Sequence, residues 1–157
     1  MTVMMKKIPR ADVWALGTTR LFGNHDLGRS GLITGWSEPE DMHVWNNGPE
    51  AVLHALIEPT TRAISVKLEG IPFLDGSVPQ QELTLFVNGA RLGFWRLAER
   101  RSYTLEAMIE PEHIFTREAH CLLACAFHVP KSAKPSDLGL GSDGRELGFC
   151  FQSICFA

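Results

Sequence analysis

Apolar and polar residues alternate with a period of two along most of the chain. In Ala63–Leu68 (AISVKL), Ile64, Val66 and Leu68 fall on one face and Ser65 and Lys67 on the other. Successive side chains of an extended chain point to opposite sides, so this pattern predicts a strand with one buried and one solvated face. Glu50–Leu56 (EAVLHAL) reads the same way. Gln81–Asn88 (QELTLFVN) sets Leu83, Leu85 and Val87 together. The Asn88-Gly89 pair behind it tolerates the positive φ of a tight hairpin turn, which returns Arg91–Leu97 (RLGFWRL) antiparallel. Phe94 and Trp95 are consecutive there, so one faces inward and the other outward. Ser102–Ile109 is a further strand.

Ala119–Val129 is the most apolar run. Cys121, Leu123, Cys125, Phe127 and Val129 share one face, and Leu122, Ala124 and Ala126 the other, which predicts a strand covered on both sides. Glu146–Phe156 (ELGFCFQSICF) resembles it in composition. Glu110–Phe115 suggests one helical turn, with Pro111 near its start. Seven or more short strands, turn signals between them and almost no helical period predict an all-β fold. The expected architecture is an antiparallel β-sandwich or jelly roll with one or two short helical turns. Strands with one polar face favour two packed sheets over a parallel α/β sheet. A chain of 157 residues suits one domain. Residues 1–13 are expected as a flexible tail and residues 14–157 as a single β-sandwich domain, with Trp14 stapling the tail down.

Composition narrows the function classes. Fifteen Lys and Arg against 18 Asp and Glu give a net charge of −3, so no basic face and no nucleic-acid partner are expected. No apolar stretch is long enough to cross a bilayer, which argues against membrane insertion. The opening MTVMMKKIPRADVW has no apolar run of the kind a secretory signal carries. The four cysteines (Cys121, Cys125, Cys150 and Cys155) lie on apolar stretches, which predicts buried thiols in a reducing cytoplasm rather than disulfides.

Several candidate chemistries fail on spacing or context. GLGSDG, from Gly139 to Gly144, matches the G-x-G-x-x-G dinucleotide fingerprint. That motif needs a buried strand before it and a helix after it. Here polar KSAKPSDL precedes it and strand-like RELGFCFQSICFA follows, so the glycines read as loop residues. Cys121 and Cys125 lie about 13 Å apart on a strand, too far for one tetrahedral ion. Cys150 and Cys155 are an odd number of residues apart and face opposite sides of a regular strand. The six histidines show no ligand spacing. Asp137 and Asp143 offer oxygen ligands for a calcium loop but read more simply as a solvated turn. No metal or cofactor is therefore expected. Glu38, Glu40 and Asp41 crowd one short loop, whereas paired glycosidase carboxylates oppose each other across a cleft. No catalytic residue is assigned.

The most distinctive segment is Gly35–Trp45, GWSEPEDMHVW. Two tryptophans bracket several acids, and an indole face stacks on sugar C–H surfaces while neighbouring polar groups bind hydroxyls. The structural alternative is that Trp36 and Trp45 plug one end of the sandwich.

This segment, followed by Asn46-Asn47-Gly48, resembles the G-[FW]-S-x-P-E-x-x-x-x-W-x-x-G pattern of a β-sandwich domain. Such domains accompany bacterial glycosyltransferases and related enzymes of surface-polysaccharide biosynthesis. Lys134–Gly148, KPSDLGLGSDGRELG, resembles the same domain's S-P-x-x-L-G-x-S-x-D-x-R-x-L-G segment, with Lys134-Pro135-Ser136 where Ser-Pro is usual. Leu83–Leu92, LTLFVNGARL, matches the strand, Asn-Gly turn and strand between them. The resemblance spans roughly residues 30–156. It implies a non-catalytic accessory protein that binds carbohydrate or a partner glycosyltransferase. Trp36, Glu40, Trp45, Asp143 and Arg145 would gather at one rim as ligand-binding residues. Asp143 and Arg145 are expected to pair with each other or with Glu40 across the sandwich end. Two alternatives stand beside this reading: a structural or assembly module that self-associates as a homo-oligomer without binding sugar, and a jelly-roll enzyme acting on glycans.

Overall fold

The computed structural model describes residues 13–157, so the tail expected at residues 1–13 lies outside the described residues except for Val13. Twelve strands run in chain order: β1 (Val13–Trp14), β2 (Thr19–Leu21), β3 (Leu32–Thr34), β4 (Val44–Trp45), β5 (Glu50–Ile57), β6 (Ile64–Pro72), β7 (Gln81–Val87), β8 (Ala90–Leu97), β9 (Tyr103–Ile109), β10 (Thr116–Arg117), β11 (His120–His128) and β12 (Phe149–Phe156). They form two sheets. The first has the order β1-β5-β11-β7-β8, with β3 also on β5 and β10 on β11; the second has the order β2-β12-β6-β9, with β4 also on β12. The protein is an all-β sandwich, as the alternation predicts. Two short 3₁₀ turns, Pro111–His113 and Pro135–Leu138, are its helical elements among the described residues.

The core follows from the pleat. Leu53, Ala55 and Ile57 of β5, Cys121, Leu123, Cys125 and Phe127 of β11, and Leu83, Leu85 and Val87 of β7 line the inside of the first sheet. They face Ile64, Val66 and Leu68 of β6 and Phe149, Phe151, Ile154 and Phe156 of β12. Burying a large apolar side chain of this kind contributes about 1.5–3 kcal/mol each. Trp14 packs on Phe156 with their ring centroids 5.6 Å apart, so it is part of this core.

Several expectations change. The pair β1–β5 is parallel, whereas every other ladder is antiparallel. The outer face of β11 is half-buried rather than covered, because Ala124 and Ala126 leave it low between taller neighbours. The last strand begins at Phe149, since Glu146–Gly148 is pinned in a loop. Cys150 and Cys155 do not face opposite sides. Gln152 is a bulge without a partner across β6, which restores the phase so that Phe149, Phe151, Ile154 and Phe156 all point inward. Cys150 and Cys155 then share the outer face. One extra residue in a strand reverses every side chain beyond it, and apolar pattern alone does not reveal it.

Candidate functional site

The segment Gly35–Asn46 folds back on itself. Trp36 bridges Asn46, the Ser37 amide donates to the Trp45 carbonyl at 2.9 Å, and the Asn47 amide donates to the Gly35 carbonyl at 2.7 Å. Gly35 sits at φ +81°, where a Cβ would overlap the Glu50 carbonyl oxygen. Only glycine lets this segment lie so close to the start of β5.

Asn46 fastens the two loops of the rim together. It is fully buried, yet all its amide capacity is used. Its Oδ1 accepts from the Gly148 and Phe149 amides at 2.9 and 2.8 Å, and its Nδ2 donates to the Gly48 carbonyl and the Ser132 hydroxyl, both at 2.8 Å. The neighbouring Asn47 Oδ1 accepts from the Glu146 amide at 2.9 Å. These bonds bring Asp143–Gly148 beside residues 40–48.

Arg145 is the centre of the rim. Its Nε and Nη2 donate to Asp143 Oδ1 and Oδ2 at 3.0 and 2.7 Å, and its backbone amide donates to Asp143 Oδ1 at 3.1 Å. Its Nη1 lies 3.9 Å from Glu40 Oε2, and that oxygen is 2.9 Å from His43 Nε2. Both expected pairings of Arg145 therefore occur, one bidentate and one at arm's length. The 3₁₀ turn Pro135–Leu138, capped by Gly139 at φ +74°, shapes the approach to this pair, and the Ser136 amide bonds the Asp143 carbonyl at 2.8 Å.

The hydrogen bonds from the Arg145 side chain and backbone hold the Asp143 carboxyl at about 2, below its ordinary value. Asp143 in turn raises Arg145. A depressed carboxylate contributes its ordering above its unfolded value and loses it as the pH falls through its folded value. The Asp143–Arg145 pair is expected to stay closed at pH 4 and to open towards pH 2. A carboxyl-carbon NMR titration, assigned with Asp143→Asn, checks this; a midpoint at the ordinary carboxylate value contradicts it.

The rim has an aromatic wall. His43 and Trp45 stand edge to face with centroids 6.4 Å apart, and Trp45 meets Phe73 in the same way at 6.4 Å. Trp45 is partly exposed and lies opposite Cys150 on β12. Burial pushes the Cys150 thiol up to about 12, with the Glu40 charge adding to it, so that sulfur is an apolar floor rather than a nucleophile.

The structure thus brings Glu40, Trp45, Asp143 and Arg145 together. Trp36 turns the other way. It packs against Phe22, Phe127 and Phe151, and its indole N–H donates to the Val52 carbonyl at 2.8 Å. Its role at the rim is to anchor the loop that carries Glu40. Sequence reasoning missed His43, although His43 and Trp45 are two residues apart and so share a face of an extended chain. Phe73 lies just beyond the end of β6, and nothing in the local sequence links it to this site. Asp143 has both oxygens on Arg145, and among the described residues no group of three or more His, Cys, Asp and Glu side chains gathers as a metal cluster.

No protein-family model matches the chain, and no curated protein does. Solved structures do match. The CBM36-1 domain of a multidomain xylanase from the hindgut metagenome of Trinervitermes trinervoides is 11% identical, with a TM-score of 0.44 over 89% of this chain and 95% of that one. A CBM36 carbohydrate-binding module in complex with calcium and xylotriose is 9% identical, with a TM-score of 0.45 over 89% of this chain and 99% of that one. A family 35 carbohydrate-binding module from an environmental isolate is 11% identical, with a TM-score of 0.41 over 91% of this chain and 88% of that one. The site stands on this chain's own residues.

Proposed function

We propose that this protein is a non-catalytic carbohydrate-binding β-sandwich and that the rim around Arg145 receives the sugar. The observation that carries this reading is the 3.9 Å gap between Arg145 Nη1 and Glu40 Oε2, with Glu40 linked through His43 to the partly exposed Trp45 ring. The gap is too long for a hydrogen bond, so a donor and an acceptor face each other with capacity unused. A sugar hydroxyl is donor and acceptor at once and completes both. Trp45 offers the apolar face on which the ring's C–H surface rests. Asp143 keeps the guanidinium oriented before the ligand arrives, which lowers the entropy lost on binding.

The resemblance of the two rim loops to accessory domains of glycosyltransferases supports a setting in bacterial surface-polysaccharide biosynthesis, beside such an enzyme. Four free cysteines, three of them buried, fit a reducing compartment such as the cytoplasm.

Tryptophan fluorescence and calorimetry with neutral xylo-, gluco- and manno-oligosaccharides test the reading. At least one series is expected to bind and to shift the emission of Trp45. Trp45→Ala and Arg145→Gln should each weaken that binding about tenfold or more, on the scale of a lost stacking or charge-assisted contact. If no series binds, or if both variants bind as the parent does, the rim is not a sugar site.

A further inference from the structure

A second surface, on the opposite side of the sandwich from Trp45, has its own chemistry. The outer face of β8 carries Arg91, Phe94 and Arg96, all exposed. On a regular strand Arg91 and Phe94 would face opposite sides, being three residues apart. The register of β8 against β7 shifts at Leu85/Phe86, where Gly93 faces Leu85 and Arg91 faces Phe86. That bulge turns Arg91 to the same side as Phe94 and Arg96. Both guanidinium carbons then lie 5.5 Å from the centre of the Phe94 ring. Trp95, between them in sequence, packs against the core.

Neither arginine has a carboxylate partner within 4 Å among the described residues. Glu82 stands directly opposite Arg96 in the ladder but pairs with Lys131 at 3.4 Å. Two guanidinium groups flank one aromatic ring, neither is engaged in an ion pair among the described residues, and their N–H edges are free to meet an anionic ligand.

The rows of the sheet extend this pair. Phe94 lies opposite Thr84, Thr84 opposite His128, and His128 opposite Glu50. His128 Nε2 is 2.9 Å from Glu50 Oε2, and the His128 ring rests on Phe86 with centroids 4.8 Å apart. Strands are spaced by about 4.8 Å, so a chain laid across them meets Phe94, a hydroxyl and then an imidazole over roughly 10 Å. The small residues Ala124 and Ala126 keep the sheet low beyond His128.

We infer that this face binds an acidic oligosaccharide, one with carboxylate-bearing sugars, through Arg91 and Arg96 with Phe94 between them. The alternation of guanidinium, aromatic, hydroxyl and imidazole groups suits a ligand with spaced carboxylates and hydroxyls. A denser polyanion such as nucleic acid is disfavoured, because Glu50 and Glu82 lie in the same rows and the chain carries a net −3. The site is separate from the rim and does not depend on the rim's reading.

The test is calorimetry with tetragalacturonate and with its fully methyl-esterified, neutral counterpart. Tetragalacturonate should bind, the ester at least about tenfold more weakly, and the acid's affinity should fall as salt rises. Arg91→Gln with Arg96→Gln should lose at least about tenfold in affinity for the acid, with thermal unfolding unchanged. Arg145→Gln, at the rim, should leave that affinity as it is. Equal binding of acid and ester, or an unaltered double variant, overturns the proposal. Tighter binding of a DNA oligonucleotide to the same arginines overturns it too. Loss of acid binding in Arg145→Gln alone would move the acidic ligand to the rim and overturn the assignment to this face.

Discussion

Gly35→Ala is expected to destabilise the protein by about 2–5 kcal/mol, one of two strong effects at the base of the rim. Two penalties act together. At φ +81° an alanine suffers the steric conflict of the left-handed region, about 1–2 kcal/mol. Its Cβ would also overlap the carbonyl of Glu50, a backbone atom held in place by the β5–β11 ladder, where Glu50 pairs with His128. Overpacking against atoms that cannot turn aside costs about 1–3 kcal/mol and occasionally more. Neither penalty can be relieved without moving the segment that leads to Trp36 and Glu40. Urea denaturation followed by tryptophan fluorescence should show the midpoint fall by at least about 0.7 M, given slopes of about 1–3 kcal/mol/M. A midpoint within error of the parent would mean that the segment can lift off β5 freely.

Asn46→Ala should cost about 3–4 kcal/mol, for a different reason. The side chain satisfies the buried amides of Gly148 and Phe149 and donates to the half-buried Gly48 carbonyl and Ser132 hydroxyl. Each buried polar group left without a partner costs about 1–3 kcal/mol, and some relaxation is expected. Asn46→Asp separates the two halves of the amide. It keeps an oxygen for the two N–H groups but sets a second acceptor against the Gly48 carbonyl, so it should also destabilise, by less than alanine if the Gly148 and Phe149 bonds dominate. Chemical denaturation ranks the three proteins. Parent-like stability in Asn46→Ala would show that water replaces the amide, and that the two rim loops do not depend on it.

The long strands were legible because their alternation is unbroken. Leu83, Leu85 and Val87, or Cys121, Leu123, Cys125 and Phe127, announce an inward face without any knowledge of neighbours. Short pieces such as β1, β4 and β10 span two residues each and carry no period at all. Bulges were hidden for a related reason: Gln152 in β12 and the shift in β8 are defined by what the partner strand lacks, and a single strand's pattern does not contain that. The rim was partly legible. The pairing of Arg145 with Asp143 follows from their two-residue spacing, and its reach to Glu40 was anticipated from the two loop motifs. The opposite orientations of Trp36 and Trp45 were not, since they depend on the bridge between Trp36 and Asn46. Asn46 itself, a polar residue in an Asn-Asn-Gly turn signal, gave no hint of full burial.

The position of β12 in the second sheet has a consequence for how the chain acquires its structure. Phe149–Phe156 pairs with β2, β4 and β6, elements made more than 75 residues earlier. During synthesis the edge of β6 opposite β9 has no ladder partner until β12 has emerged. Closing such long loops before any pairing can reward them makes folding slow, in the millisecond-to-second range typical of sandwiches. Until then β6 exposes an open hydrogen-bonding edge to other nascent chains. Interruption of synthesis shortly before Phe149 would thus leave a fragment prone to aggregate rather than a smaller version of the same fold.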